Sequence, residues 1–253
     1  MHQYVCLFFF GPRIFSFAKN LISAEINKTE THLKLQKKGN LVGCWVLFKK
    51  IPISTLRVSP IGVVAKKDGG WRLITHLSYP PNWSVNDFIN PEICKIKYSL
   101  FDKVVEMISA LGSNVLCAKM DINQAFHLLV VHPADFGLLG IFFGGKYYIN
   151  KCLPEGCSIA SALIEKFATF LHRTVASISG LDTLDHYLDD VFFAGANSTQ
   201  NCTKSMQTFS KLCSQLGVPL AESKTVGPYH KYYLLRFGNR HSPYVGQNPS
   251  RQT

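Results

Sequence analysis

Residues 186–193 read His186-Tyr187-Leu188-Asp189-Asp190-Val191-Phe192-Phe193. Two adjacent acids interrupt apolar, β-prone flanks, so the stretch reads as one end of a β-hairpin over residues 185–194 that turns at Asp189-Asp190. A third acid out of keeping with its neighbours ends an apolar strand in Ala118-Lys119-Met120-Asp121-Ile122. A charge inside a hydrophobic run is costly unless something pairs with it. Two carboxylates about 4 Å apart repel by roughly 4 kcal/mol at an effective dielectric of about 20. Without a cation one of them takes a proton, and a divalent cation removes the conflict. An isolated Asp-Asp pair is most often only a turn, and Asp182 and Asp185 read as turn acids of that ordinary kind. The pair at 189–190 gains weight by joining Asp121 and a basic hairpin upstream.

That hairpin begins at Ser59-Pro60-Ile61-Gly62-Val63-Val64-Ala65, a strand opened by proline and filled with β-branched residues. Lys67-Asp68-Gly69-Gly70 supplies the turn, and Trp71-Arg72-Leu73-Ile74 the returning strand. Further along, apolar residues at Phe101, Val104, Val105, Ile108 and Leu111 have helical spacing, and Gly112 stops them. Residues 114–120 read as a strand, 138–149 as a hairpin around Gly144-Gly145, 158–177 as a long buried helix, and 199–216 as an amphipathic helix closed by Gly217. Residues 20–38 allow a polar helix. After residue 112 the order is strand, helix, strand pair, helix, strand pair, helix. This predicts an α+β fold, an antiparallel sheet layered with helices.

Composition narrows the function. Of 253 residues, 47% are hydrophobic and 17% charged, which is globular rather than disordered composition. No apolar run reaches the roughly 18 residues of a membrane span. The early run from Val5 to Phe10 lacks a following small-residue cleavage site. An intracellular protein, cytoplasmic or nuclear and not secreted, is the expectation, with no membrane partner. The cysteines at 6, 44, 94, 117, 152, 157, 202 and 213 form no CxxC and no zinc spacing, and read as small buried thiols. The net charge of +11 is uneven: residues 1–100 hold 14 Lys/Arg against 5 Asp/Glu. A basic front half suits a polyanion, nucleic acid first, although a basic surface with no partner stays open on charge alone.

Four motifs in order resemble the reverse transcriptases, the RNA-directed DNA polymerases. Tyr187-Leu188-Asp189-Asp190 resembles their Y-x-D-D box, and Asp121-Ile122-Asn123-Gln124-Ala125-Phe126 their first catalytic box. Leu153-Pro154-Glu155-Gly156 resembles the LP-x-G box, and the run from Leu216-Gly217 to Lys224-Thr225 the following lysine box. Leu77-Ser78-Tyr79-Pro80 and Ser84-Val85-Asn86-Asp87-Phe88-Ile89 are most similar to retrotransposon enzymes of the DIRS and Gypsy-like groups. The resemblance implies a right-hand polymerase: a ferredoxin-like palm, with helices on one face of its antiparallel sheet, and a fingers subdomain. Residues 51–228 would be the reverse transcriptase domain, with 51–112 mainly fingers and 113–228 mainly palm. Residues 1–50 would be an extension of unassigned role, and 229–253 a divergent tail without a thumb or a ribonuclease H domain, a chain truncated after the palm.

The resemblance also implies roles. Asp121, Asp189 and Asp190 would be the catalytic acids, with Asp121 and Asp189 holding two Mg²⁺ ions (Mn²⁺ as the substitute) and Asp190 beside them. Lys66 or Lys67, with Arg72, would contact the incoming dNTP. Phe126 would stack beneath its sugar and exclude a 2′-hydroxyl, Gly156 would let backbone approach it, and Lys224 would lie near the leaving pyrophosphate as a proton donor. An RNA or DNA template with its primer would be the partner; the oligomeric state is not written in these boxes. Glu155 departs from the family, which usually has Gln, Phe or Met there, and sets a carboxylate against an anionic triphosphate. Ser161 stands where many relatives have Pro. A catalytically impaired relic that binds nucleic acid is therefore the rival reading, and a metal hydrolase on a similar sheet a third.

Overall fold

The computed structural model describes residues 4–39, 45–66, 69–99 and 101–230. In chain order the elements are β1 (Ser16–Phe17), α1 (Ile22–Ile26), α2 (Lys28–Gly39), β2 (Trp45–Phe48), β3 (Arg57–Val58), β4 (Ile61–Ala65), β5 (Trp71–Thr75), α3 (Phe101–Ala110), β6 (Val115–Asp121), β7 (Gly140–Phe143), β8 (Lys146–Asn150), α4 (Ala160–Ser179), β9 (Leu184–Tyr187), β10 (Asp190–Ala196), α5 (Asn201–Leu216) and β11 (Val226–His230). The chain divides into two units: Met1–Ile96 with Ala125–Leu163, and Lys97–Gln124 with Ile164–Thr253. The fold is α+β, with antiparallel pairing dominant. Among the described residues no helix is long and apolar enough to cross a membrane.

The second unit is a four-stranded antiparallel sheet in the order β11-β6-β10-β9. β10 and β6 pair over their whole length, from Asp190 opposite Asp121 to Ala196 opposite Val115. Side chains on one strand alternate between faces, and register-paired residues share a face. Phe193 is fully buried and meets Phe209 of α5 edge-on at 5.6 Å between ring centroids. Truncating such a core ring costs about 3–5 kcal/mol. Met107, Ile108 and Leu111 of the amphipathic α3 segment pack on Val115, Cys117 and Ala194. Gly217 ends α5 in the left-handed region at φ 69°, and the Val218 N–H returns to the Cys213 carbonyl, so the expected glycine stop is a built cap.

The first unit holds a sheet in the order β1-β3-β7-β8-β2 and the separate hairpin β4-β5. Its main core joins Leu77, Val85, Ile89, Leu138 and Leu153 to Leu7 from the N-terminal segment. Ala24 and Leu35, from α1 and α2, pack with Ile61, Val63 and Leu73 of the hairpin. Residues of the N-terminal stretch are thus part of this unit's core. Arg57 is buried to 2% exposure, its guanidinium donating to the Trp83 and Pro12 carbonyls at 2.6 and 2.9 Å and lying over the Phe9 and Phe88 rings.

Four local readings need correction. The helix expected over residues 20–38 breaks at Asn27, whose side chain caps the Ser23 carbonyl and so competes with helix continuation. The helix expected after β6 is only a 3₁₀ turn, Ala125–Leu128. The hairpin turns at Leu188-Asp189, because Asp190 already pairs with Asp121 and Tyr187 as the first residue of β10. Asp185 is not a turn acid: it lies within β9, is 8% exposed, and accepts hydrogen bonds from the Ser99 hydroxyl and the His186 N–H. The cysteines mostly follow expectation. Cys117, Cys152, Cys157, Cys202 and Cys213 are buried, Cys94 is half-buried and Cys6 exposed, while Cys44 lies outside the described residues. Burial pushes the thiols of Cys157, Cys202 and Cys213 up to about 12, which keeps them protonated and inert.

Candidate active site

Three acids converge in the second unit because two strands end in register. The direct pairing of Asp190 with Asp121 sets both side chains on one face of the sheet. Asp189 belongs to the turn, where its carbonyl accepts the Ile122 N–H at 2.8 Å and ties the turn to the end of β6. Leu188 takes φ 55°, an uncommon conformation for a bulky residue. Its N–H donates to Glu165 Oε2 of α4 at 3.0 Å, so the helix holds the strained turn in place.

The electrostatics are those of a crowded anionic site. Asp121 is 4% exposed. Burial pushes its carboxyl above the usual range, the Lys224 ammonium opposes that, and the charge of Asp190 adds to it. Asp189 is likewise raised, by burial and then by Asp121. Lys224 Nζ lies 2.7 Å from Asp121 Oδ2, and Lys119 Nζ 2.9 Å from Asp190 Oδ1. Burial lowers Lys224, but the carboxylates of Asp121, Asp189 and Asp190 together outweigh it and leave the ammonium above its ordinary value. Asp121 Oδ1 is buried without a hydrogen-bond partner among the described residues. Two raised carboxyls, one orphaned buried oxygen and acceptor-only ligands are donor chemistry that suits a hard divalent cation.

The structure therefore groups Asp121, Asp189, Asp190 and Lys224. The remaining candidates lie in the first unit. Lys66 follows β4, exposed, and its N–H closes the hairpin on the Gly70 carbonyl at 2.6 Å. Arg72 is exposed on β5 opposite Val64, and Lys67 lies outside the described residues. Phe126 is half-buried against the Leu77–Val85 core. Glu155 is exposed in its loop. Gly156 is required locally, since a Cβ there would collide with the Thr75 carbonyl oxygen. Asn86 pins the same loop, donating to the Gly156 carbonyl and accepting from the Ser158 N–H, both at 2.9 Å.

Two features escaped the motif reading. Lys119 had a usable signal: a lysine within an apolar strand, two places before Asp121 and therefore on the same face. The grouping of His172 and His186 with Asp185 had none, because its members meet only through tertiary packing.

Solved structures share the fold. A foamy virus protease–reverse transcriptase crystal structure superposes with a TM-score of 0.62 at 16% identity, over 84% of this chain and 25% of that one. The foamy viral enzyme in complex with an RNA/DNA hybrid gives 0.61 at 18% identity, over 85% and 26%. The same enzyme in complex with dsDNA gives 0.59 at 18%, over 85% and 40%. At these identities the likeness is one of fold, that of a polymerase palm and fingers. The chain spans between about a quarter and two fifths of these proteins' length. Among curated protein sequences none matches. Residues 64–246, well over half the chain, match the sequence profile of the reverse transcriptase (RNA-dependent DNA polymerase) family, and the chain belongs to that family.

Proposed function

We propose that this chain carries out RNA-directed DNA synthesis, templated addition of deoxynucleotides to a primer 3′-hydroxyl, as the polymerase portion of a retroelement protein of the DIRS or Gypsy-like kind. The observation that carries the reading is the register pairing of Asp121 with Asp190, with Asp189 on the adjoining turn. The RNA/DNA hybrid and the dsDNA bound by the solved relatives support a template–primer duplex as the partner.

Asp121 and Asp189 would hold two Mg²⁺ ions, with Asp190 beside them. The chemistry that such ions supply when bound is activation of an attacking hydroxyl and stabilisation of the leaving oxygen. The protein's own groups do the rest. Lys224, kept protonated by the acids around it, holds a proton at Nζ that it can release to the departing pyrophosphate. Lys66 or Lys67, with Arg72, binds the triphosphate of the dNTP from a cationic hairpin. Phe126 orients the sugar, and Gly156 keeps the loop beneath it slim. Residues 51–112 and 113–228 serve as fingers and palm in this scheme.

One observation favours a second reading, a nucleic-acid-binding relic with impaired catalysis. Glu155 is exposed in the loop assigned to the nucleotide and would repel its phosphates. Primer extension on an RNA template with Mg²⁺ and dNTPs decides between them. Extension that Asp189→Asn abolishes is the expected result. Duplex binding without extension, with Glu155→Gln restoring activity, identifies the relic.

A further inference from the structure

Away from the three acids, but in the same unit, β9 and α4 bring His172, Asp185 and His186 together, with one ligand atom from each within 4.8 Å of the others. Asp185 and His186 are buried and His172 half-buried. The hydrogen bonds around them favour one tautomer of each imidazole. The Thr169 hydroxyl donates to the Glu165 carbonyl at 2.8 Å, so toward His186 Nε2, at 3.1 Å, its oxygen can only accept. Glu165 Oε1 lies 3.4 Å from the same nitrogen. His186 therefore carries its proton on Nε2. His172 Nε2 faces Asp182 Oδ1 at 3.3 Å and carries a proton for the same reason. In the neutral rings both Nδ1 atoms then present bare lone pairs, and they face each other at 3.0 Å.

Two lone pairs at that distance repel, and an electron-pair acceptor placed against both, a shared proton or a metal ion, relieves the contact. Ligand nitrogens about 2.0–2.1 Å from tetrahedral Zn²⁺ stand about 3.3 Å apart, a small opening from what is present. The outer nitrogens bonded to carboxylates reproduce the arrangement that orients metal-ligating histidines and raises their basicity. Asp185 supplies the third donor; each of its oxygens accepts one hydrogen bond, from the His186 N–H or from Ser99, and keeps a lone pair. A cleft of about 720 Å³ opens beside the group, with Lys97, Lys103 and Arg173 among its lining residues. It leaves a fourth position open to water, and its cations suit an anion there.

We propose that His172, Asp185 and His186 bind one Zn²⁺ ion, which staples β9 to α4. Imidazole nitrogens with one carboxylate select zinc over magnesium. Glu165 links this site to the acid-bearing turn, since it faces His186 with one oxygen and receives the Leu188 N–H with the other. The inference does not depend on the polymerase reading.

The test uses the full chain, stripped with a chelator and titrated with Zn²⁺ in a large excess of Mg²⁺ that occupies the acid site. Bound zinc is counted by elemental mass spectrometry, and Co²⁺ replaces it for visible absorption. One Zn²⁺ per chain is expected, with the intense absorption of four-coordinate Co²⁺. His172→Gln and Asp185→Asn should each weaken binding by at least about 10-fold, while Asp189→Asn leaves it unchanged. Imidazole ¹⁵N shifts on the unaltered protein guard against a variant that fails to fold: zinc should move the Nδ1 signals of His172 and His186. No retained zinc, unmoved Nδ1 signals, or binding lost with Asp189→Asn but kept in His172→Gln would each overturn the proposal.

Discussion

Two hairpins carry the charges that matter here, and they carry them in opposite ways. In β9–β10, Asp190 is half-buried and the neighbouring Asp121 is almost wholly so, and both are met by lysines from nearby elements. In β4–β5, Lys66 and Arg72 stand in solvent, and among the described residues no acid pairs with either side chain. The acids are held against their own chemistry, since burial and mutual repulsion raise Asp121 and Asp189. Such charges weaken the fold even with Lys119 and Lys224 beside them. The hairpin cations lie in solvent and carry no such burial cost. The contrast separates buried, crowded acids from solvent-exposed cations.

The largest expected effect breaks the first half of that contrast. Asp189→Asn should reduce primer extension by at least about 10²-fold, the scale of losing one preorganised electrostatic group. It should also raise the melting temperature of the metal-free protein by about 2–4 °C, as removing a repulsion of about 1 kcal/mol would in a chain of this size. A variant that loses both activity and stability would mean that Asp189 is a structural acid.

A pH titration of stability comes next and concerns the first unit. Burial, aided by Lys38 and opposed by Glu155, lowers His127 from 6.5 to about 4. The fold therefore favours the neutral ring, while the unfolded chain takes up the proton. The stability this represents is complete above pH 6.5 and is lost as pH falls toward 4. With allowance for partial exposure the loss is about 1–3 kcal/mol. Urea midpoints across that window should fall for the wild type and much less for His127→Phe; parallel curves would remove His127 as the cause.

The second half of the contrast is sharpened by Arg72→Ala and Lys66→Ala. Each should raise the KM for dNTP by about 10-fold, the scale of one charge-assisted phosphate contact. Melting temperatures should stay within about 1 °C, since exposed substitutions of this kind cost within about 0.5 kcal/mol. A large stability loss would place these cations in the fold rather than at a ligand. Glu155→Gln gives the smallest effect, a gain in dNTP use of about 2- to 5-fold, corresponding to about 0.5–1 kcal/mol for an exposed charge. No change would show that the carboxylate does not face the triphosphate.

The sequence carried the parts set by local pattern. β6, β10 and the helices at 101–110, 160–179 and 201–216 follow from alternation and from 3.6-residue spacing, with ends shifted by a residue or two. The acids were visible because they violate the apolar pattern around them. What stayed hidden depends on contacts distant in sequence. The run Gly180-Leu181-Asp182-Thr183-Leu184-Asp185 has turn composition, yet Asp185 is buried because Ser99 reaches it from 86 residues away. The reason for Gly156 was equally invisible, since the obstruction is the Thr75 carbonyl of another hairpin. Arg57 gives no sequence signal for burial among carbonyls and aromatic rings.

On the proposed reading, Asp121, Asp189 and Asp190 together bind divalent cations. A titration of Mn²⁺ into the metal-free protein, followed by the loss of free-ion electron paramagnetic resonance signal, addresses it most directly. Saturable uptake that Mg²⁺ displaces, and that Asp121→Asn and Asp189→Asn each weaken by about 10-fold or more, is the predicted result. Uptake equal in the wild type and both variants would contradict it.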